Sequence, residues 1–173
     1  MFINLTDYFD GKDLSHELRI TPEADSYERD GISYPVTEKD DILLSVTDLG
    51  DGQLNLTGDT KMVLAGNCDR CLKDVSIPVD LHFDYVVNKP DGHHEISEDE
   101  EAFMDGFLLD TEAFIYNEMI MSLPMKVLCK ETCKGLCPVC GKNRNEEDCG
   151  CDTFVPDPRL AAINDIFNAN KEV

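Results

Sequence analysis

Apolar and polar residues alternate through much of the first half of the chain, which is the pattern of half-buried strands. The strictest example is 75–85, where Val, Ile, Val, Leu, Phe and Tyr take every second position. Shorter segments at 15–21 and 41–47 alternate in the same way or are rich in β-forming residues. Since successive side chains of a strand point to opposite faces, each segment would present one apolar and one polar face.

Turn residues divide these segments into hairpins. A Gly-Asp-Gly turn at 50–52 separates 41–47 from the next apolar segment. Further on, 61–65 runs directly into a Cys-Asp-Arg-Cys motif at 68–71, which precedes the strictly alternating strand. The pattern therefore predicts a hairpin with the two cysteines at its tip. Strands this close in sequence predict an antiparallel, twisted sheet or a small β-barrel-like domain over residues 1–90.

The periodicity changes to that of a helix in the second half of the chain. Asp110 or Thr111 is a suitable N-cap, and Pro124 ends the helix because the residue before a proline is driven out of the α region. A last helix is predicted to begin at Asp157-Pro158. The apolar stripe of the first helix is Leu109, Ala113, Tyr116, Ile120 and Leu123, and that of the last is Leu160, Ile163 and Phe167.

An acidic segment, 91–106, lies between these halves and carries seven Asp and Glu residues but no Lys or Arg. Its composition is typical of a solvated linker, and the adjacent His93 and His94 are more typical of an exposed loop than of a metal site. The predicted fold class is α+β. A β-rich domain at 1–90 is followed by the acidic linker and by a C-terminal lobe at 107–173, which contains two helices and a Cys-rich segment.

The chain of 173 residues is strongly acidic. Its 15 Lys and Arg residues against 36 Asp and Glu residues give a formal charge of −21. Such a charge repels nucleic acid and offers few cations to displace counterions from phosphates, so direct RNA binding is disfavoured. Basic proteins, ribosomal proteins among them, are the electrostatically favoured partners.

Composition also bears on the compartment. Hydrophobic residues make up 42% of the chain, and no apolar run approaches the roughly 20 residues that span a bilayer. The first residues, MFINLTDYFDGKDL, have neither a basic start nor an apolar core, so no signal peptide is predicted. We therefore expect a cytoplasmic protein with no membrane partner. Thiols are reduced in that compartment, which favours metal sites over disulfides as the explanation of clustered cysteines.

The eight cysteines occur in two groups. One is the CxxC pair at 68–71, and the other six lie in CKETCKGLCPVCGKNRNEEDCGC at 129–151. A CxxC turn directs two thiolates at one point, and CPxCG followed by CGC supplies four thiolates within fifteen residues, as in zinc ribbons. The simplest partition is two sites of four thiolates, each holding one structural zinc ion. The predicted sets are Cys137, Cys140, Cys149 and Cys151, and Cys68, Cys71, Cys129 and Cys133.

The second set would cross-link the β-rich domain to the C-terminal lobe and so close a long loop. Other interpretations stay open at this point. A mixed set such as Cys133, Cys137, Cys140 and Cys149 would hold fewer ions, and a single zinc ion is then sufficient. An iron–sulfur cluster also suits thiolate ligands.

Catalytic roles for the cysteines are less well supported. The CxxxCxxC spacing at 133–140 is that of radical S-adenosylmethionine enzymes, but no (β/α) repeat is visible to hold a substrate. A dithiol redox role for the pair at 68–71 lacks the βαβ setting of thioredoxin-like motifs. All-thiolate sites are generally closed and structural. No enzymatic activity, catalytic residue or small-molecule substrate is therefore predicted.

The order of several motifs resembles that of the YceD family of bacterial proteins, also described as large ribosomal RNA subunit accumulation proteins. The resemblance covers about 43–166. It rests on the CDRC hairpin, the acidic segment, a helix ending in LP before VLC, the run CKGLCPVCGKNRN with its trailing CGC, and a closing DPRLAAI. Cys68 and Cys71 match the family's CxRC motif, and the six later cysteines match the cluster of its Cys-rich members.

The resemblance implies a non-enzymatic role in the synthesis, processing or stability of 23S ribosomal RNA during large-subunit assembly. Because the charge disfavours RNA contact, we predict action through a basic partner, either a ribosomal protein or an assembly intermediate of the large subunit. Arg70 and Lys73 are the cations that would face RNA in a direct contact. The alternative function is a metal-stabilised protein-interaction or regulatory module unrelated to ribosomes.

Overall fold

The computed structural model describes residues 1–9, 15–90, 100 and 102–152. This part of the chain contains nine strands and one α-helix. The strands are β1 (Phe2–Asn4), β2 (His16–Ile20), β3 (Ser26–Arg29), β4 (Ile32–Lys39), β5 (Ile42–Gly50), β6 (Gln53–Asn67), β7 (Asp74–Asn88), β8 (Met104–Asp105) and β9 (Leu108–Asp110), and the helix α1 is Thr111–Ser122. His93, His94 and the predicted last helix lie outside the described residues.

Six strands form one antiparallel, curled sheet around the 15-residue strand β6. Strand β7 pairs with β6 along its whole length, from Gln53↔Asn88 to Asn67↔Asp74. The other edge of β6 is shared, because β5 pairs with its first half and β4 with its second half. Strand β2 extends the sheet beyond β5, and β3 extends it beyond β4. The β6–β7 hairpin is therefore the centre of the sheet.

The change of partner along β6 occurs near Gly58. A Cβ atom at this position would lie only 2.8 Å from the Leu43 carbonyl oxygen. Glycine therefore permits the backbone of β5 to approach β6 closely at the point where their pairing ends.

The antiparallel sheet and the α+β class predicted from the sequence are confirmed. In β7 the side chains alternate between buried and exposed from Ser76 to Asp84, as the apolar pattern predicts. The pattern did not reveal that β6 is continuous, because Gly58 and Asp59 interrupt its alternation. It also gave no signal for β3 and β4, whose exposed positions vary irregularly.

A small three-stranded sheet connects the start of the chain to the helix. Strand β9 lies between β1 and β8, with Ile3 opposite Leu109. The Thr111 backbone N–H and hydroxyl both donate to the Met1 carbonyl, at 3.0 and 2.8 Å. Strands of two or three residues are too short to show a period in sequence, so these strands were not predicted.

Helix α1 covers the buried face of the long hairpin. The ring of Phe114 stacks on Phe83 with centroids 4.8 Å apart, and it makes edge contacts with Tyr85 and Phe103 at 5.2 and 5.1 Å. The predicted cap is confirmed, because the Asp110 carboxylate accepts hydrogen bonds from two backbone N–H groups in the first turn. The helix therefore joins the sheet through an aromatic cluster.

The predicted apolar stripe of this helix is wrong in part. Tyr116 is 46% exposed, whereas Phe114, Ile115 and Met119, none of them in the predicted stripe, are fully buried. Apolar side chains occur on almost every side of this helix, so periodicity alone does not select the buried face. No helix in the described ranges has both the length and the apolar content needed to cross a bilayer.

Candidate metal centre

The tip of the β6–β7 hairpin brings the first two cysteines together. The Cys68 backbone N–H donates to the Lys73 carbonyl at 2.8 Å, and the Leu72 N–H donates to the Cys68 carbonyl at 2.9 Å. Leu72 has a φ of 59°, in the left-handed region that few residues other than glycine adopt. The turn holds the sulfurs of Cys68 and Cys71 within 4.8 Å of each other, and both residues are buried.

The segment after α1 is bound to this turn by hydrogen bonds. The Asp69 N–H donates to the Val127 carbonyl at 2.8 Å, and the Val127 N–H donates to the Asp69 carboxylate at 2.7 Å. The Leu136 N–H donates to the Arg70 carbonyl at 3.0 Å, and the Arg70 guanidinium donates to the Cys133 carbonyl at 2.8 Å. These bonds hold the chain on both sides of the next two cysteines against the hairpin tip.

Four sulfurs meet where these two parts of the chain touch. The Cys68 and Cys133 sulfurs are 3.8 Å apart, and the Cys71 and Cys129 sulfurs are 3.5 Å apart. All four lie within 4.8 Å of one another. A tetrahedral zinc ion with Zn–S bonds of about 2.3 Å holds its sulfurs about 3.8 Å apart. The spacing fits one tetrahedral ion, and we call these four residues the hairpin cluster.

Hydrogen bonds to sulfur favour the thiolate form at two of these cysteines. Burial raises the pKa of Cys68, but bonds from three backbone N–H groups outweigh burial and lower this pKa to about 6. Burial also raises the pKa of Cys133, but bonds from the Asn145 amide and the Gly135 backbone hold it below its ordinary value. A bond to the neighbouring sulfur raises the pKa of Cys129 to about 12. Metal binding must therefore displace protons from this cluster.

The other four cysteines lie close together through a second turn of the same design. The Cys137 N–H donates to the Lys142 carbonyl at 2.8 Å, and the Gly141 N–H donates to the Cys137 carbonyl at 2.8 Å. Gly141 has a φ of 73° at the position that Leu72 occupies in the hairpin turn. The four sulfurs again lie within 4.8 Å of one another. We call this group the ribbon cluster, and its members are Cys137, Cys140, Cys149 and Cys151.

The ribbon cluster is more exposed than the hairpin cluster. Cys137 is buried, whereas Cys140 is exposed and the last two cysteines are partly exposed. Backbone N–H groups of Cys140 and Val139 lower the pKa of Cys137 to about 6. A hydrogen bond to the Cys140 sulfur raises the pKa of Cys151 to about 12. This group therefore also mixes thiolate and thiol forms in the absence of metal.

The structure brings the eight cysteines together in the two sets that count and spacing predict. The alternative set in which Cys133 joins Cys137, Cys140 and Cys149 is not formed, because Cys133 lies in the hairpin cluster. All eight thiols are free of disulfide bonds. Both clusters are compatible with metal binding.

Comparison with known proteins identifies the family. The family model described as "Large ribosomal RNA subunit accumulation protein YceD" matches residues 56–167. The chain belongs to the YceD family. The matched region begins in β6, contains all eight cysteines and includes the helix α1. The resemblance seen in the order of the motifs is thereby confirmed.

Curated relatives of this YceD-family chain occur in mycobacteria. It is 31% identical over 103 residues to a protein of Mycobacterium bovis and to proteins of two Mycobacterium tuberculosis strains, each named only as an uncharacterized protein. The alignment covers 58% of this chain and 49% of each relative, so the chain spans about half the length of the curated relatives it matches. No solved structure matches the chain.

Some residues of this YceD-family site were not found from the sequence. The Asn145 amide donates to the Cys133 sulfur at 3.3 Å, and Asp69 makes the reciprocal bonds described above. Asp69 lies inside the CDRC motif and Asn145 lies between Cys140 and Cys149. The spacing of the cysteines carries no information about the residues between them, so it gave no signal for either residue. Arg70, predicted as a cation facing RNA, donates to a backbone carbonyl of the cluster. Lys73 is exposed beside the hairpin cluster and lines a cavity of about 230 Å³.

Proposed function

We propose that this chain is a non-enzymatic factor in the synthesis, processing or stability of 23S ribosomal RNA during assembly of the large ribosomal subunit. The observation that carries the proposal is the family match over residues 56–167, a region that contains both cysteine clusters. We also propose that the protein acts in the cytoplasm. We propose that it consists of a β-rich domain at 1–90, an acidic linker at 91–106 and a C-terminal lobe at 107–173.

We propose that each cluster holds one structural zinc ion, with its four cysteines as the ligands. Four thiolates fill a tetrahedral zinc site and leave no coordination position for a substrate. The sulfur spacings of 3.8 and 3.5 Å in the hairpin cluster support a single ion of this kind. The ions would hold the shape of the lobe, while function would lie in the surface that this shape presents.

The partner that best suits the chain is a basic protein. A formal charge of −21 opposes close contact with RNA phosphates and attracts Lys- and Arg-rich surfaces. We propose that the factor acts on ribosomal RNA indirectly, through a ribosomal protein or a protein component of a large-subunit assembly intermediate. The alternative of a module unrelated to ribosomes has no comparable support.

Depletion of the protein in its source organism tests the function. We expect the 23S ribosomal RNA to fall relative to 16S, together with a loss of mature large subunits in sucrose gradients. The wild-type gene should restore both quantities, and Glu17→Lys, an exposed change far from the cysteines in sequence, should restore them equally. An unchanged ratio of 23S to 16S RNA after depletion contradicts the proposal.

A further inference from the structure

Strand β7 has one edge without a strand partner among the described residues. Its only paired neighbour there is β6, although β7 is 15 residues long. Long edges of this kind are unusual, because unpaired backbone N–H and C=O groups form a template for another strand. The edge is therefore a candidate site for strand addition.

The register shows which backbone groups face this edge. Two backbone hydrogen bonds flank β7: the Lys89 N–H donates to the Gly52 carbonyl, and the Cys68 N–H donates to the Lys73 carbonyl. The odd-numbered residues of this segment therefore direct their backbone groups toward β6. In an antiparallel pair these residues alternate with residues whose backbone groups point away from the partner, and in β7 those are the even-numbered ones. The N–H of Asn88 points away from β6 and donates to the Glu100 carboxylate instead.

The even-numbered residues of β7 therefore offer their backbone groups to the open edge. Between positions 76 and 84 these residues are Ser76, Pro78, Asp80, His82 and Asp84, and all are exposed. A proline within a sheet is confined to an edge or to a bulge, because it has no N–H to donate. The place of Pro78 in this set agrees with an outward-facing edge.

Neighbouring elements leave this part of the edge open within the described structure. The end of β7 nearest the helix is covered, since Asn88 is bonded to Glu100 and the ring of Tyr85 contacts Phe103 at 5.4 Å. Helix α1 packs on the opposite, buried face through Phe83. The accessible length at 76–84 spans nine residues, enough for a strand of ordinary size.

The exposed face beside the edge is acidic. Four aspartates, Asp40, Asp41, Asp59 and Asp80, line an open cavity of about 500 Å³ that extends from β7 across β6 to the turn before β5. Lys61 pairs with Asp80 at 3.2 Å and His82 with Asp59 at 2.6 Å, so the aspartates of this cavity outnumber its basic groups by two. An added strand would place its side chains directly opposite those of β7, where opposite charges stabilise the pairing and like charges oppose it. A second copy of this chain would bring one acidic edge against another, so an acidic or identical strand does not suit the site.

We propose that the open edge of β7 at 76–84 binds an extended, Lys- and Arg-rich segment of a partner protein as an added β-strand. Backbone hydrogen bonds would supply the affinity, and basic side chains that face Asp84, or that share Asp80 with Lys61, would select the partner. The proposal rests on the proposed function only for the source of this segment, a basic protein of the large ribosomal subunit.

The test uses the full metal-loaded chain and a ten-residue peptide of alternating Lys and Thr. In NMR spectra of the free protein, the amides of Asp80, His82 and Asp84 should exchange rapidly with solvent. The peptide should protect these three amides. The same peptide with every backbone nitrogen methylated keeps its charge but cannot donate hydrogen bonds, and it should not protect them.

A matched pair of variants separates the edge from net charge. The double variant Asp80→Lys/Asp84→Lys should weaken binding tenfold or more. Glu17→Lys/Glu38→Lys, which changes the net charge equally at exposed positions of β2 and β4, should weaken binding less than threefold. Equal weakening by both variants would show that only net charge matters and would overturn the proposal.

Three further outcomes would also overturn the inference. They are protection of the three amides before peptide is added, equal binding of the methylated peptide, and self-association of the chain through β7. The peptide experiment is independent of ribosomes. If the peptide does not bind but depletion lowers 23S RNA as expected, the edge site alone is rejected. If the peptide binds but depletion leaves 23S RNA unchanged, the proposed function is rejected.

Discussion

Asn145 links the two cysteine clusters at the scale of a single side chain. Its Nδ2 donates to the Cys133 sulfur at 3.3 Å, while its Oδ1 accepts the Lys134 backbone N–H at 2.9 Å. The residue lies in the loop between the two halves of the ribbon cluster, yet its hydrogen bond reaches the hairpin cluster. Donors to a ligand sulfur stabilise the thiolate and orient it toward the metal.

Replacement of Asn145 should therefore weaken metal binding at the hairpin cluster. We expect Asn145→Ala to lower the affinity about 10- to 100-fold, in line with the loss of a hydrogen bond to a metal ligand. Asn145→Asp should be at least as harmful, because a carboxylate replaces the donor with a negative charge. Chelator competition measures the affinity. Asn117→Ala on the helix is the control, and equal affinities in all variants would contradict the assignment.

Gly135 permits the contact between the ribbon segment and the hairpin tip. It has a φ of 73°, and a Cβ atom there would lie 2.9 Å from the Arg70 carbonyl oxygen. Left-handed backbone costs about 1–2 kcal/mol for a residue with a Cβ atom. Gly135→Ala would also create a steric clash between the new Cβ atom and the Arg70 carbonyl oxygen. Because this oxygen belongs to the backbone, it cannot move aside as the end of a flexible side chain could.

Gly106 supplies the matched control for that change. It has a φ of 59°, and a Cβ atom added there would meet nothing within 4 Å, so Gly106→Ala carries the backbone cost alone. We expect Gly106→Ala to lower the Tm of the metal-loaded protein by roughly 2–8 °C, since each kcal/mol is worth about 2–4 °C in a chain of this size. Gly135→Ala should lower Tm by clearly more, and equal shifts would show that the contact is unimportant.

At the scale of elements, two turns with the same hydrogen-bond pattern organise the two clusters. Leu72 and Gly141 take the same left-handed position, one in each turn. The first turn ends a long hairpin, and the second lies within a short irregular segment. The hairpin cluster is therefore held rigidly by β6 and β7, whereas the ribbon cluster depends on its own turn and on the proposed zinc ion.

Helix α1 depends on its cap as well as on its aromatic contacts. The Asp110 carboxylate accepts the N–H groups of Glu112 and Ala113 at 3.1 and 3.3 Å. Asp110→Ala should lower the free energy of unfolding by about 1 kcal/mol, as measured by urea denaturation of the metal-loaded protein. Asp110→Asn retains an accepting oxygen and should stay close to wild type. Equal losses in both variants would mean that the carboxylate charge, not the cap, stabilises the helix.

Across the full chain, the two clusters constrain the unfolded state to different extents. Cys71 and Cys129 are 58 residues apart in sequence, against nine for Cys140 and Cys149. By loop-closure entropy alone, a cross-link across the longer loop raises the free energy of the unfolded chain by about 1.6 kcal/mol more than one across the shorter loop. The hairpin cluster joins the sheet to the later part of the chain, while the ribbon cluster organises one local segment.

Single cysteine variants should reveal this difference. We expect two zinc ions in the wild type and one in either Cys71→Ser or Cys149→Ser, measured by elemental analysis after purification without chelators. Cys71→Ser should lower the Tm more than Cys149→Ser does. Iron in place of zinc would contradict the proposed metal. A larger loss of Tm in Cys149→Ser than in Cys71→Ser would contradict the proposed role of the long loop.

Features that depend on the local order of residues could be predicted from the amino-acid sequence alone. The alternation at 75–85 specified β7, Asp110 and Pro124 marked the helix limits, and the CxxC pair marked the hairpin tip. The division of eight cysteines into two sets also followed from counting and spacing. These features could be predicted because strand period, capping and turn geometry involve residues that are close in sequence.

Features that depend on contacts between distant parts of the chain could be seen only in the folded structure. Three such features are the pairing of β1 with β9, the burial of Phe114 in place of Tyr116, and the hydrogen bond from Asn145 to Cys133. None of them follows a periodic pattern in the sequence. The open edge of β7 is of the same kind, because an edge is defined by which strands pair elsewhere. Such features arise from packing and partner choice, which local propensity does not encode.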